Sequence, residues 1–129
     1  MTAIKVEIIP YIFYRDVAAA LQFLRDAFGF QELMRTGTPS GGMHAEMSLE
    51  GQRIMLGQGA REWGMVSPRE AKTATMGVFI YINDVDAHFA HARAAGAEIE
   101  HPPRNESYGR TYTARDLDCH PWFFTSPAQ

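Results

Sequence analysis

Apolar residues recur along the chain at two spacings. Val17, Ala20, Leu21, Leu24 and Phe28 fall three and four apart, the period of a helix that buries one face, and Val85, Phe89 and Ala92 repeat the pattern later. Both helices carry signals at their ends. Asp16 and Asp84 stand where an N-cap carboxylate would accept a backbone N–H, and Gly29 and Gly96 stand where a left-handed residue would stop the helix. An apolar strand precedes each helix. Three strand-like segments follow it, at about 30–36, 42–49 and 52–57 in the first half and about 97–102, 109–115 and 120–125 in the second. Each half therefore reads βαβββ.

The halves are copies. With Asp16 over Asp84, an offset of 68, "YIFYRDVAAALQFLRDAFG" falls on "FIYINDVDAHFAHARAAGA", matching Ile12 with Ile80, Val17 with Val85, Ala19 with Ala87 and Ala27 with Ala95. The second helix is one residue shorter, yet the offset returns at Gly41 and Gly109 and at Leu49 and Leu117, which predicts a compensating residue between helix and hairpin. The repeats span about 4–58 and 74–126. The stretch between them is polar, carries Trp63 and reads as a linker or flap. Either half alone is too small to hide both faces of its sheet, so 1–129 is expected to form one α+β domain.

Composition narrows the function. Twelve basic against fifteen acidic residues give a net charge of -3 without a Lys/Arg stripe, which argues against a nucleic-acid partner. The longest strongly apolar run, 78–82, is too short for a bilayer, and "MTAIKVEIIP" lacks the apolar core of a signal peptide, so a cytoplasmic protein without membrane attachment is expected. Cys119 is the single cysteine, which excludes an intrachain disulfide and a multi-cysteine zinc site.

The densest chemistry lies in "DLDCHPWFF", 116–124. Its readings are a metal site, a Cys–His nucleophile pair, or a turn feeding a buried edge strand. Strand alternation puts His120, Trp122 and Phe124 on one face and Phe123 on the other, which keeps Asp116, Asp118, Cys119 and His120 from converging and favours the turn. His88 and His91 flank the apolar stripe of the second helix and read as solvated. His44 and Glu46 share a strand face, as a hydrogen-bonded pair or a two-ligand metal site. His101, before Pro102-Pro103, reads as a strand end.

The duplicated βαβββ unit, with "PYIFYRDVAAALQFLRDAFGF", "HAEMSLEGQRIML", "INDVDAHFAHARAAGAEI" and "YGRTYTARDLDCHPWFF", resembles the vicinal oxygen chelate superfamily of glyoxalases, bleomycin-resistance proteins and ring-cleaving dioxygenases, most nearly its bleomycin-resistance or PhnB-like branch. The resemblance covers almost the whole chain and implies two tandem modules forming a curved mixed sheet around a cavity. Cys119 departs from it, standing where the family turn has glycine. In metal-using members His, Gln and Glu from matching strands hold a divalent ion. The positions this implies are Ile9, Met55, Gly77 and Phe123, none of which supplies a hard donor, so no metal or other cofactor is expected.

The same positions mark the concave face. Alternation then places Tyr11, Phe13, Arg53, Met55, Gly57, Phe79, Tyr81, Phe123 and Thr125 along it, with Arg110 as a further polar candidate and Trp63 as a lid. Such a face either binds a flat or apolar molecule or fills a core. The expected function is metal-independent binding of a small aromatic or apolar molecule, of the drug-sequestering type, with catalysis disfavoured. The alternative is a lyase, isomerase or dioxygenase using a displaced metal on His44 and Glu46. Relatives of this size commonly pair, and free sheet edges need cover, so a homodimer is expected.

Overall fold

Asp16 and Asp84 open their helices as the local sequence requires, each carboxylate accepting the N–H three residues on (Ala19 and Ala87, both 3.1 Å). In the computed structural model, which describes residue 3 and residues 5–128, these helices are α1 (Val17–Phe28) and α3 (Val85–Ala94). Gly29 and Gly96 follow them with φ of 85° and 100°, the left-handed region glycine enters without penalty. The first predicted repeat begins at residue 4, which lies outside the described residues.

The strands are β1 (Tyr11–Tyr14), β2 (Gln31–Gly37), β3 (Met43–Leu49) and β4 (Gln52–Gln58) before the linker, and β5 (Val78–Tyr81), β6 (Glu98–Glu106), β7 (Gly109–Arg115) and β8 (Pro121–Pro127) after it. They form two four-stranded sheets ordered β1-β4-β3-β2 and β5-β8-β7-β6, with the first strand of each parallel to the last and the other pairs antiparallel. This is the α+β fold of two βαβββ modules, with the strands divided between two sheets and no closed barrel. Within the linker lie a 3-10 turn (Arg61–Trp63) and one turn of helix, α2 (Pro68–Ala71), which docks on the last hairpin as Arg69 N–H donates to the Asp118 carbonyl at 3.0 Å.

One side of each sheet meets the helices. Tyr14, Leu21, Leu24, Phe28, Met47, Leu56, Tyr112, Trp122 and Phe124 are buried there in one continuous core drawn from both modules. Phe28, at the end of α1, touches the rings of Trp122 and Phe124 on β8, with centroids 5.4 and 4.9 Å away.

The ladders correct three expectations. The compensating residue lies in the last turn: the pair Ser48–Arg53 encloses four residues, 49–52, whereas the corresponding pair Arg115–Pro121 encloses five, 116–120, and the first hairpin closes tightly at Glu50-Gly51. Glu50 and Gly51 both have positive φ, the hairpin geometry that matches strand twist. β8 is an interior strand and not an edge. His101 is not at a strand end: β6 continues through Pro102-Pro103 with two register shifts, which an edge strand permits because prolines can turn their missing N–H outward.

Candidate functional site

The sides of the sheets away from the helices remain open. On the first, Tyr11 and Phe13 from β1 stand beside Met55 and Gly57 of β4, and His44 and Glu46 of β3 lie opposite Gly57 and Met55. The Tyr11 and Phe13 rings stack at 5.0 Å. Gly57 makes room for them: a Cβ there would come within 2.7 Å of Tyr11 Cε1 and 3.3 Å of Phe13 Cε1. Tyr11 thereby reaches His44, its hydroxyl 2.8 Å from Nδ1. Arg53 spans the end of this face, donating to Glu46 at 2.7 Å and to Glu7 at 2.8 and 2.9 Å.

The second face repeats the plan with rings. Phe79 lies beside Phe123 and Tyr81 beside Thr125 across β5 and β8. Phe79 contacts Tyr81 at 5.2 Å and Tyr108, from the β6–β7 turn, at 6.1 Å. Gly77 is to Phe123 what Gly57 is to Tyr11, since a Cβ would stand 2.7 Å from the Phe123 ring. Thr125 is buried and donates to Thr111 at 2.8 Å, so it serves the floor. Tyr108 escaped the sequence reading; Gly57 stands on the face that alternation assigns to it, and a glycine within a strand signals close approach of another group, here the Tyr11 and Phe13 rings.

These faces are not core. Tyr11, Phe79 and Tyr81 are 48%, 46% and 59% exposed. A cleft of about 1110 Å³ runs between the modules, bounded by residues 5–8 and the β3–β4 turn on one side, β5 on the other, and Phe28, Gly29 and Phe30 at its base. It takes in Arg53, Phe79 and Tyr81 but not Tyr11, Phe13, Met55, Phe123, Trp63 or Arg110. Trp63 stands on the linker, 74% exposed and away from the cleft. Arg110 is tied to Asp86 at 3.0 to 3.2 Å and to Asn105 at 3.2 Å.

The residues at the family's metal positions do not fit a metal ion. Ile9 and Met55 bring no hard oxygen or nitrogen donor, and the Phe123 ring occupies the space beside Gly77. His44 and Glu46 are not the bonded pair expected: their nearest polar atoms are 3.9 Å apart, and each side chain is engaged elsewhere, with Tyr11 and Arg53. Among the described residues no three His, Cys, Asp or Glu side chains gather to hold an ion.

The 116–120 segment is a turn organised by one carboxylate. Asp116 accepts from Tyr14 Oη (2.7 Å), Trp122 Nε1 (3.0 Å), His120 Nδ1 (3.1 Å) and the backbone N–H groups of Asp118 and His120 (both 3.0 Å). Asp118 turns instead to Arg15, accepting from its backbone N–H at 2.8 Å and its guanidinium at 3.1 Å. Burial opposes the Asp118 charge, but the Arg15 bonds outweigh it and hold the carboxyl below its ordinary range. Cys119 occupies the left-handed position at φ 70° that the family pattern fills with glycine.

His88 requires a correction. It is not solvated: its ring lies 4.2 Å from that of Phe124, and Nδ1 is 2.6 Å from Tyr112 Oη. The alternation of α3 is unchanged; the neighbouring module closes over this flank, with Phe28 of α1 stacked 6.2 Å away. His91, on the exposed flank, bonds the Asp26 carbonyl at 2.7 Å. Burial pulls the His88 imidazole below its ordinary value, the Phe28 carbonyl partly offsets this, and His91 adds to the lowering. The unfolded chain therefore binds the proton more readily, so the stabilising contribution is complete above about pH 6.5, the unfolded value, and is lost as pH falls from there through the lower folded-state value. Urea midpoints at about pH 7.5 and 5.5 should show wild type losing stability in acid, and His88→Phe should flatten that dependence; an identical slope in both proteins would place the titration elsewhere.

The architecture and the paired open faces define a class. The family model described as Glyoxalase/Bleomycin resistance protein/Dioxygenase superfamily matches residues 6–127, and the chain belongs to that superfamily. Among solved structures, TioX from Micromonospora sp. ML1 superposes with a TM-score of 0.77 at 26% identity, covering 96% of this chain and all of that one. TnmS3, described as an antibiotic binding protein from Streptomyces sp. CB03234, superposes with a TM-score of 0.73 at 18% identity, covering 98% of this chain and all of that one. An uncharacterized protein from Mycobacterium tuberculosis is 28% identical over 134 residues, 98% of this chain and 79% of its own length. No helix among the described residues is long and apolar enough to cross a membrane.

Proposed function

We propose that the chain binds a flat, largely apolar small molecule against its aromatic sheet faces, without a metal ion of its own and without chemistry, and that a second copy closes the site. One observation carries this reading: the rings along β1, β5 and β8 lie on the sheet sides opposite the helices and remain open, while the core is complete without them. Of the two uses open to such a face, core filling is thus already supplied by other residues. Large exposed apolar groups in contiguous rows mark binding surfaces, and a TnmS3-like fold supports the antibiotic-binding direction. The free edges of β1 and β5 and the solvent-facing rings supply the reason for a partner copy. A metal-dependent reaction finds less support, because Arg53 and Tyr11 already engage Glu46 and His44.

Light scattering at micromolar concentration should give the mass of a dimer. Fluorescence titration with 9-aminoacridine should show saturable binding, weakened about tenfold or more by Tyr81→Ala and unchanged by Glu98→Ala on the outer strand β6. A monomer in solution would remove the partner copy, and equal effects of the two substitutions would remove the assigned wall.

A further inference from the structure

Three polar side chains on the first sheet face, Glu46, His44 and Tyr11, form a chain of contacts that sets what the Tyr11 hydroxyl can offer a ligand. Glu46 Oε1 is held by Arg53 at 2.7 Å, and its Oε2 lies 3.9 Å from His44 Nε2. The two do not hydrogen-bond at that distance, but a carboxylate paired with a guanidinium offers only lone pairs, and its charge favours hydrogen on the imidazole nitrogen turned toward it. His44 Nδ1 is then an acceptor. With that tautomer the group 2.8 Å from it, Tyr11 Oη, is the donor, and the phenol has only one proton to give. The half-exposed Tyr11 is left presenting oxygen lone pairs. Arg53 likewise directs Nε, Nη1 and Nη2 at Glu7 and Glu46.

We infer that this face selects aromatic ligands carrying a hydrogen-bond donor, such as a phenol or an arylamine, over those carrying only an acceptor, with Tyr11 as the recognising oxygen and His44 as the residue that sets its polarity. The inference rests on the reading of the open faces as the ligand site and names the chemistry that site prefers. His44 acts through Tyr11 and is a positioning residue. Gly57 permits the pair, since a Cβ there would stand 3.2 Å from Tyr11 Oη.

Two measurements test it. Long-range ¹H–¹⁵N spectra of the protein at pH 8 should show His44 protonated on Nε2; protonation on Nδ1 overturns the proposal whatever binds. Dissociation constants for 1-naphthol, 1-methoxynaphthalene and naphthalene should favour the naphthol by about threefold to tenfold over the methyl ether, the value of one neutral hydrogen bond. Tyr11→Phe should abolish that preference while leaving naphthalene affinity within about twofold. His44→Phe frees the Tyr11 proton, so the hydroxyl can donate to the methyl ether as well as accept from the naphthol; the preference should shrink to within about twofold through a gain in methyl-ether affinity relative to naphthalene, an outcome that loss of packing alone does not produce. Equal binding of all three probes by wild type overturns the donor preference and leaves the binding function standing. Failure of all three to bind overturns both.

Discussion

Asp116→Ala should lower stability by about 3–5 kcal/mol, because it strands several buried donors at once. Tyr14 Oη, Trp122 Nε1 and the N–H groups of Asp118 and His120 all converge on this carboxylate, whose side chain is shielded completely from solvent. Tyr14 ends β1 and Trp122 lies in β8, so the same group fastens one module to the other. Removing it leaves donors that water can reach only by opening the joint between modules. For a chain of this size the melting temperature should fall by roughly 10 °C or more, and thermal unfolding followed by circular dichroism measures it. A loss below about 1 kcal/mol would mean that the turn rearranges and that Asp116 is not its hub.

The other large effect is expected at Gly109, where β7 begins opposite Pro127. Its φ of 146° lies where L side chains are strained, and an added Cβ would press into the backbone carbonyl oxygen of Ser126. Backbone cannot move aside as a flexible side chain can. Gly109→Ala should therefore cost about 2–5 kcal/mol, combining strain with overpacking. Hydrogen exchange should show the loss first at the Gly109–Pro127 end of the ladder, and equal protection in both proteins would rule out the clash.

Helix boundaries, caps and buried stripes were legible because they depend on residues within a turn of one another. Asp16 and Gly29 act on their own helix, and Val17, Leu21, Leu24 and Phe28 face inward whatever covers them. The alternation along β1, β5 and β8 was legible for the same reason and separated the open rings from Trp122 and Phe124. The like order of the two modules could be read from matched positions, but the site of the extra residue could not, since only the β7–β8 register reveals that the last turn absorbs it.

What the sequence by itself determined was thus the repeated βαβββ order, the α+β class, the helix faces and the row of aromatic residues on the far side of each sheet. Tertiary structure alone decided what those residues meet. Tyr14 and Asp116 are 102 positions apart, Tyr11 and His44 are 33 apart, and His88 depends on Phe28 in the other module. Periodicity fixes the direction in which a side chain points relative to its own backbone. It carries no information about which distant strand or helix arrives to cover it, and that arrival half-buried His88, set Tyr11 against His44 and left Tyr81 in the open.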